Sequence, residues 1–330
     1  MDPTSRPALG DKVAIVFPGQ GSQFVGMGQE LYASSAAARN IFKRAGETLG
    51  FQLSHLCFAG PAGELEDTVN TQPAILTVSI ASLEALRERA ARQDEKVAPL
   101  VVAGHSLGEF TALVAAGVLD FPAALTLVRA RGRLMKQAGD ESPGGMAAVI
   151  GLDEETLEAV CEEARHFGIV NIANANCPGQ TVISGEIGAL LRAMELARAR
   201  GAKRVARLGI SIASHSPLMT CASSQLAELI DRAPLRLPQI PIVANGTGQL
   251  MTTVEEIRHE LAHHVERPVN WTLSVREMVN AGVTTFVEVD PGQVLSGLIR
   301  RINRDVTTIR AEEVSFANRT AGQPAVQHES

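Results

Sequence analysis

The chain has 330 residues, 45% of them hydrophobic, and a formal net charge of −6. That length suits a large domain with a smaller companion, and the apolar share supports a sizeable core. The acidic balance gives no support to wholesale nucleic-acid binding, no run approaches membrane-spanning length, and the opening residues lack the long apolar segment of a secretory signal.

Residues 1–10 are polar and read as a loose lead-in. Val13–Phe17 is a short apolar strand, followed by the Gly-rich loop Pro18-Gly19-Gln20-Gly21-Ser22-Gln23 and a helix beginning near Gly28. Pro73 to Arg89 carries Ile75, Leu76, Ile80, Leu83 and Leu86 at mostly helical spacing, with Pro73 in the first turn. Pro99–Ala103 reads as a buried strand, Glu109–Val118 as a helix, and about Pro122–Gln137 as another helix. The pattern then changes. Strand Gly145–Leu152, helix Asp153–Phe167 capped by Asp153, strands Ile169–Ala175 and Gln180–Ser184, helix Glu186–Arg200 and strand Val205–Ile210 give the order β-α-β-β-α-β. That order is the signature of a ferredoxin-like unit. A helix over Ser216–Asp231, a strand over Ile240–Ala244, helices over Val254–His264 and Trp271–Ala281, a strand over Thr285–Val289 and a helix over Val294–Asn303 complete the chain. Alternating strands and helices imply an α/β protein with a mainly parallel sheet covered on both faces. The expected division is a large α/β domain from 1–138 and 208–312, an inserted ferredoxin-like domain at 139–207, and a flexible tail at 313–330. The cysteines Cys57, Cys161, Cys177 and Cys221 form no C-x-x-C pair and read as reduced thiols of a cytoplasmic protein, expected to be monomeric.

Gly104-His105-Ser106-Leu107-Gly108 reads G-x-S-x-G between a strand and a helix. A nucleophile elbow needs that context, because the sharp turn lifts the serine hydroxyl clear of the sheet. The glycines remove side chains where the turn and helix pack, and helix N-terminal amides beside Ser106 can stabilise an oxyanion. The bland alternative is a Gly-rich turn that happens to hold a serine. A serine nucleophile also needs a base. His215 lies at a downstream junction, and serine before histidine matches common elbow enzymes. His105, His55 and the histidines of 259–264 stay open as bases, although a neighbour on the elbow, such as His105, generally points elsewhere.

Two competing signals are present. His259-Glu260-Leu261-Ala262-His263 matches H-E-x-x-H, which would place two imidazoles and a water-activating glutamate on one helix face. Its third-ligand extension is absent, so a zinc hydrolase using His259, Glu260 and His263 is the remote alternative to a solvated helix. Gly19-Gln20-Gly21 follows a strand, but Phe24 stands where a dinucleotide loop requires glycine and no G-K-[ST] follows. No metal or redox cofactor is implied.

Phe17-Pro18-Gly19-Gln20-Gly21-Ser22-Gln23, Asn70-Thr71-Gln72-Pro73-Ala74, Gly104-His105-Ser106-Leu107-Gly108-Glu109, Arg131-Gly132, Pro178-Gly179-Gln180 and Ser214-His215 occur in this order. The ordered set, spanning about residues 12–305, resembles the malonyl-CoA:acyl carrier protein transacylases of fatty acid and polyketide synthesis. The resemblance implies a hydrolase-like α/β domain with an inserted ferredoxin-like domain. It also implies malonyl-CoA and an acyl carrier protein as substrates, and ping-pong transfer through a malonyl-serine ester. Ser106 would attack the thioester and His215 would take its proton. The amides of Gln20 and Leu107 would form the oxyanion hole, and Arg131 would hold the malonate carboxylate by a two-pronged pair. Gln72 would line the same pocket. On their own, Arg131 reads as a solvated charge on an Arg-rich helix and Gln72 as a polar helix start.

His264 departs from the family, which usually has Gln there and uses that position's main-chain carbonyl to orient the catalytic histidine. The resemblance therefore gives His264 the orienting role through its backbone, with a second ring near His215 able to shift the pH profile. Ser214 and Leu107 fit the malonyl-using, fatty-acid type. An acyl-thioester hydrolase, or an acyltransferase for another acyl group, is the alternative on the same fold; a hydrolase would not need Arg131. Carrier proteins of this system are acidic, so docking calls for a local basic patch. Arg198, Arg200, Lys203 and Arg204 form one candidate. Arg300, Arg301 and Arg304 form another, with Arg300 and Arg301 favoured because their helix begins at a strand end near the expected cleft. Either set would otherwise be an ordinary solvated helix face.

Overall fold

Val13–Phe17 is apolar at every position, as a strand must be when both its faces are covered. The computed structural model describes residues 12–316, so the expected lead-in at 1–10 and the tail over 317–330 lie outside the described residues. The described strands are β1 (Val13–Phe17), β2 (Val101–Gly104), β3 (Gly144–Ile150), β4 (Val170–Cys177), β5 (Gln180–Glu186), β6 (Arg204–Arg207), β7 (Ile242–Val243), β8 (Leu250–Met251), β9 (Thr285–Glu288) and β10 (Thr307–Arg310).

One sheet has the order β10-β9-β1-β2-β7-β8 and is parallel except for the short β7–β8 pair. Its side chains alternate between two apolar layers. Ile15, Phe17, Val102 and Val287 face one layer, while Ala14, Val16, Ala103 and Phe286 face the other. In the centre Phe17 pairs with Gly104, so β1 and β2 end side by side. Loops leaving the carboxyl ends of adjacent parallel strands enclose a crevice there, the usual ligand position in open α/β sheets.

The second sheet is antiparallel, with the order β4-β5-β3-β6. Helices Glu154–Ala164 and Ile187–Ala199 cover one face, burying Ala147, Val149, Ile172 and Ile183. On the other face Met146, Ala173 and Val182 cluster with Leu208 and Ile210. That face looks toward the crevice. Asp153 caps its helix by accepting from the Thr156 amide at 2.7 Å, as the sequence predicts.

Several boundaries differ from expectation. The helix expected to begin at Pro73 runs from Thr68 to Ala91, with Asp67 accepting from the Val69 amide at 3.0 Å as its cap. It is buried on most sides, which blurs the apolar stripe that would have marked its start. β10 was not expected, because in Thr-Thr-Ile-Arg at a sheet edge only Ile309 is buried. The first residues of the expected tail are packed: Val314 is 3% exposed, and Arg89 Nη1 donates to the Glu312 carbonyl at 3.1 Å. Among the described residues no helix is long and apolar enough to cross a membrane.

Candidate active site

Two backbone collisions explain one glycine of the elbow and one of the loop beside it. A Cβ on Gly108 would overlap the Phe17 carbonyl, and a Cβ on Gly19 would overlap the His105 carbonyl. The Pro18–Gln23 loop and the elbow therefore touch backbone to backbone. The turn holds Ser106 at φ 48°, left-handed backbone that a non-glycine residue adopts only when its surroundings enforce it. Asn245 supplies that enforcement. Its Oδ1 accepts from the Ser106 amide at 2.7 Å, and its Nδ2 donates to the Gly104 carbonyl at 2.7 Å.

His215 is the imidazole that reaches the serine hydroxyl. Its Nε2 lies 2.8 Å from Ser106 Oγ, and its Nδ1 lies 2.9 Å from the Arg267 carbonyl oxygen. With Nδ1 protonated and donating to that carbonyl, Nε2 presents its lone pair to the serine hydroxyl. His215 is itself held at φ 58°, with its amide donating to Val265 O at 2.8 Å and its carbonyl accepting from Asn171 Nδ2 at 2.9 Å. Burial, then the neighbouring His264 ring and the Arg131 cation, hold its pKa well below the ordinary imidazole value, so it is uncharged at neutral pH. The other candidates do not reach. His105 turns to Asn176 Oδ1 at 2.8 Å and to the Trp271 ring, and His55 is exposed in a separate groove.

Arg131 is 1% exposed and is not the solvated charge that an Arg-rich helix suggests. Its Nη1 donates to Gln72 Oε1 at 2.7 Å and its Nη2 to Ser106 Oγ at 3.1 Å. Burial pushes its pKa down to about 9, which leaves it cationic at neutral pH. Gln72 was expected to line the pocket. It is instead fully buried behind Arg131, because its carbonyl is committed to the guanidinium and its amide to Thr68 Oγ1 at 2.8 Å.

The expectation for His264 also needs correction. The carbonyl that takes the His215 Nδ1 proton belongs to Arg267, three residues further on, where the chain leaves the Val254–Ala262 helix and passes His215. The His264 ring is buried, edge-on to His215 at 6.0 Å, with Nδ1 at 3.4 Å from Arg131 Nη2. Its Nε2 approaches Glu109 Oε2 to 3.1 Å. Burial pushes His264 down to about 3 and Glu109 up to about 8, so two neutral groups meet there at neutral pH.

A cavity of about 230 Å³ opens over Ser106 between the two sheets. Gln20, Ser106, Arg131 and His215 line its polar end. Met146, Val182, Ile210 and Leu298 line its apolar end, and Ser214 is also on the wall. Gln20 and Leu107 flank Ser106 from the loop and from the start of helix Gly108–Ala115. Among the described residues neither of their amides donates a hydrogen bond. His259 and His263 lie edge-on at 5.6 Å between ring centres, but Glu260 is turned away from them. Glu260 is buried and accepts from the Gly246 amide at 2.7 Å, while His263 pairs with Glu266 at 2.6 Å.

The basic clusters divide. Arg300 and Arg301 are exposed on the helix Val294–Ile302, whose Val294, Leu295 and Leu298 line the cavity, and Arg301 reaches Gln180 Oε1 at 2.7 Å. Lys203 and Arg204 sit at the far end of β6, where Arg204 pairs with Ile150. Leu208 and Ile210, beyond the other end of that strand, are the residues that reach the cavity.

Sequence reasoning missed Asn245, Arg267 and Thr68. Asn245 follows β7, the neighbour of the elbow strand, but an Asn-Gly pair reads first as a turn. A backbone carbonyl such as that of Arg267 leaves no residue-type signal.

The chain is similar to known proteins over most of its length. Residues 14–319 match the acyl transferase domain family model. The chain is 44% identical over 303 residues to the malonyl CoA-acyl carrier protein transacylase of Bacillus subtilis, covering 92% of this chain and 94% of that one. It is 42% identical over 302 residues to the Escherichia coli K12 protein of the same name, covering 92% and 96%. Among solved structures, one of a type II PKS acyl-carrier protein in complex with its malonyl-transacylase superposes with a TM-score of 0.86 at 40% identity, covering 91% of this chain and 96% of that one. The acyl carrier protein S-malonyltransferase of Vibrio cholerae gives 0.85 at 40% identity, covering 91% and 96%. The chain belongs to the acyl transferase domain family.

Proposed function

We propose that this enzyme transfers a malonyl group from malonyl-CoA to the phosphopantetheine thiol of an acyl carrier protein through a malonyl ester on Ser106. Ser106 Oγ gives its proton to His215 Nε2 and attacks the thioester carbonyl. The Gln20 and Leu107 amides receive the developing oxyanion. Collapse expels the coenzyme A thiolate, which takes the proton from His215. The carrier thiol then gives its proton to His215 and attacks the ester, and Ser106 leaves as an alkoxide that recovers the proton. Arg131 holds the malonyl carboxylate, and the Arg267 carbonyl keeps His215 in the working tautomer.

The observation that carries this reading is a buried arginine in hydrogen-bond contact with the serine nucleophile. A thioester hydrolase has no use for a buried cation at that place. The apolar end of the cavity suits the uncharged pantetheine arm shared by coenzyme A and carrier protein. Arg300 and Arg301 are the docking residues for the acidic carrier, since their helix forms part of the cavity wall.

The parallel-sheet unit, 1–138 with 208–312, is read as the hydrolase-like domain. The unit at 139–207 is read as a ferredoxin-like insertion, on the strength of its β-α-β-β-α-β order and antiparallel sheet. The test is transfer of label from radiolabelled malonyl-CoA to holo carrier protein, with the apo carrier as control. Label on the holo form alone is expected. Label released as free malonate, with none on the carrier, would support a hydrolase.

A further inference from the structure

One hydroxyl joins the two halves of the site. Thr68 Oγ1 donates to Gln20 Oε1 at 3.0 Å and accepts from Gln72 Nε2 at 2.8 Å. Gln72 Oε1 accepts from Arg131 Nη1 at 2.7 Å, and Arg131 Nη2 donates to Ser106 Oγ at 3.1 Å. The path runs unbroken from the Gly-rich loop to the nucleophile. Its inner members are buried: Gln72 is 0%, Arg131 1% and Thr68 5% exposed.

Donor and acceptor inventory leaves this path one polarity. A guanidinium has only donors, so the Gln72 carbonyl must face it and the Gln72 amide must face Thr68. The Thr68 oxygen then accepts from Gln72 and its proton is directed at the Gln20 carbonyl. The backbone reinforces the link. A Cβ on Gly132 would stand 2.6 Å from the Thr68 carbonyl oxygen and 3.0 Å from Val69 Cα, so the helix carrying Arg131 abuts the first turn carrying Thr68. Gly132 cannot be enlarged without moving one against the other.

We propose that Thr68 is a positioning residue that couples the carboxylate-binding Arg131 to the oxyanion loop at Gln20. The two ends of the site then act as one unit, and alignment of the guanidinium is felt at the loop that receives the thioester oxygen. This rests on the transferase reading above.

The test is the rate constant for acylation of Ser106 by malonyl-CoA, followed by rapid quench and intact mass. Thr68→Val keeps the side-chain shape but leaves Gln72 Nε2 and Gln20 Oε1 without their partner. It should slow acylation about tenfold or more, and Thr68→Ser, which retains the hydroxyl, should restore most of the rate. In a double-mutant cycle with Arg131→Ala, the cost of Thr68→Val should shrink by at least about fivefold, because the chain is already cut. Gln20→Met removes the acceptor at the loop end while leaving its amide. It should show the same non-additivity with Arg131→Ala, and it carries the test if Thr68→Val does not fold. Additive costs, or a Thr68→Ser variant as slow as Thr68→Val, would overturn the coupling. A wild-type chain that forms no malonyl adduct would instead overturn the transferase reading itself.

Discussion

Arg131 Nη2 stands 3.1 Å from Ser106 Oγ, so the site's buried cation touches the elbow serine. A carboxylate held by that guanidinium lies within a few bonds of any acyl carbon on Ser106, which is the short reach of a malonyl group. Arg131→Ala should therefore lose malonyl transfer and keep, or gain, reaction with acetyl-CoA. Each charged hydrogen bond removed costs about 1.5–3 kcal/mol, so loss of a two-pronged pair changes the malonyl-to-acetyl preference by roughly 10²-fold or more. Acylation rates with the two thioesters measure it, and equal losses would contradict a carboxylate clamp.

Activity should persist to acid pH. Burial, with the cationic Arg131 beside it, lowers the His215 pKa below 6.5, so the free imidazole survives as pH falls through that value. The acid limb of kcat/KM should lie below pH 6.5. His264, pushed down to about 3 by burial, is uncharged above that pH, so His264→Gln should leave a limb lying above pH 3 in place. A limb that moves to higher pH in this variant would show that the second ring carries a proton there.

Charge reversal of Arg300 and Arg301 should raise the KM for carrier protein and leave acylation by malonyl-CoA almost unchanged. The effect should shrink as salt is added, as expected for exposed charges that steer an acidic partner. Reversal of Lys203 and Arg204, at the far end of β6, should change carrier kinetics much less. Steady-state kinetics against carrier concentration at two ionic strengths distinguishes the clusters. If the two reversals act alike, the cavity-side helix has no special role.

Glu288 ties the central sheet to the cavity wall. Its carboxylate accepts from the Leu295 amide at 2.9 Å and the Ser296 amide at 2.7 Å, at the N-terminal end of helix Val294–Ile302. Glu288→Ala leaves two buried amides without partners, each costing about 1–3 kcal/mol. Urea unfolding should show a stability loss of about 2–6 kcal/mol for this reason. A midpoint within error of wild type would mean that water or backbone takes over both amides.

The elbow was legible in sequence because all its determinants are local: an apolar strand, two glycines forced by close packing, and a helix start. The β-α-β-β-α-β order was legible because each helix carries its own stripe and Asp153 its own cap. Arg131 left a signal that composition hides. Val128, Arg131 and Met135 recur at helical spacing and are all buried, so the arginine lies in the inward stripe of its helix. What joins distant segments was not legible. Asn245 bonds the Ser106 amide across 139 positions, and the carbonyl that orients His215 depends on where the chain passes rather than on a residue type. The His264 assignment failed for that reason.

The central claim is that Ser106 carries the malonyl group. Intact-mass analysis of the wild-type chain and of Ser106→Ala after brief incubation with malonyl-CoA tests it directly. One malonyl adduct is expected on the wild type, discharged by holo carrier protein, and none on Ser106→Ala, with a transfer rate at least about 10³-fold lower in that variant. An adduct that persists on Ser106→Ala, or efficient transfer with no adduct on the wild type, would contradict it.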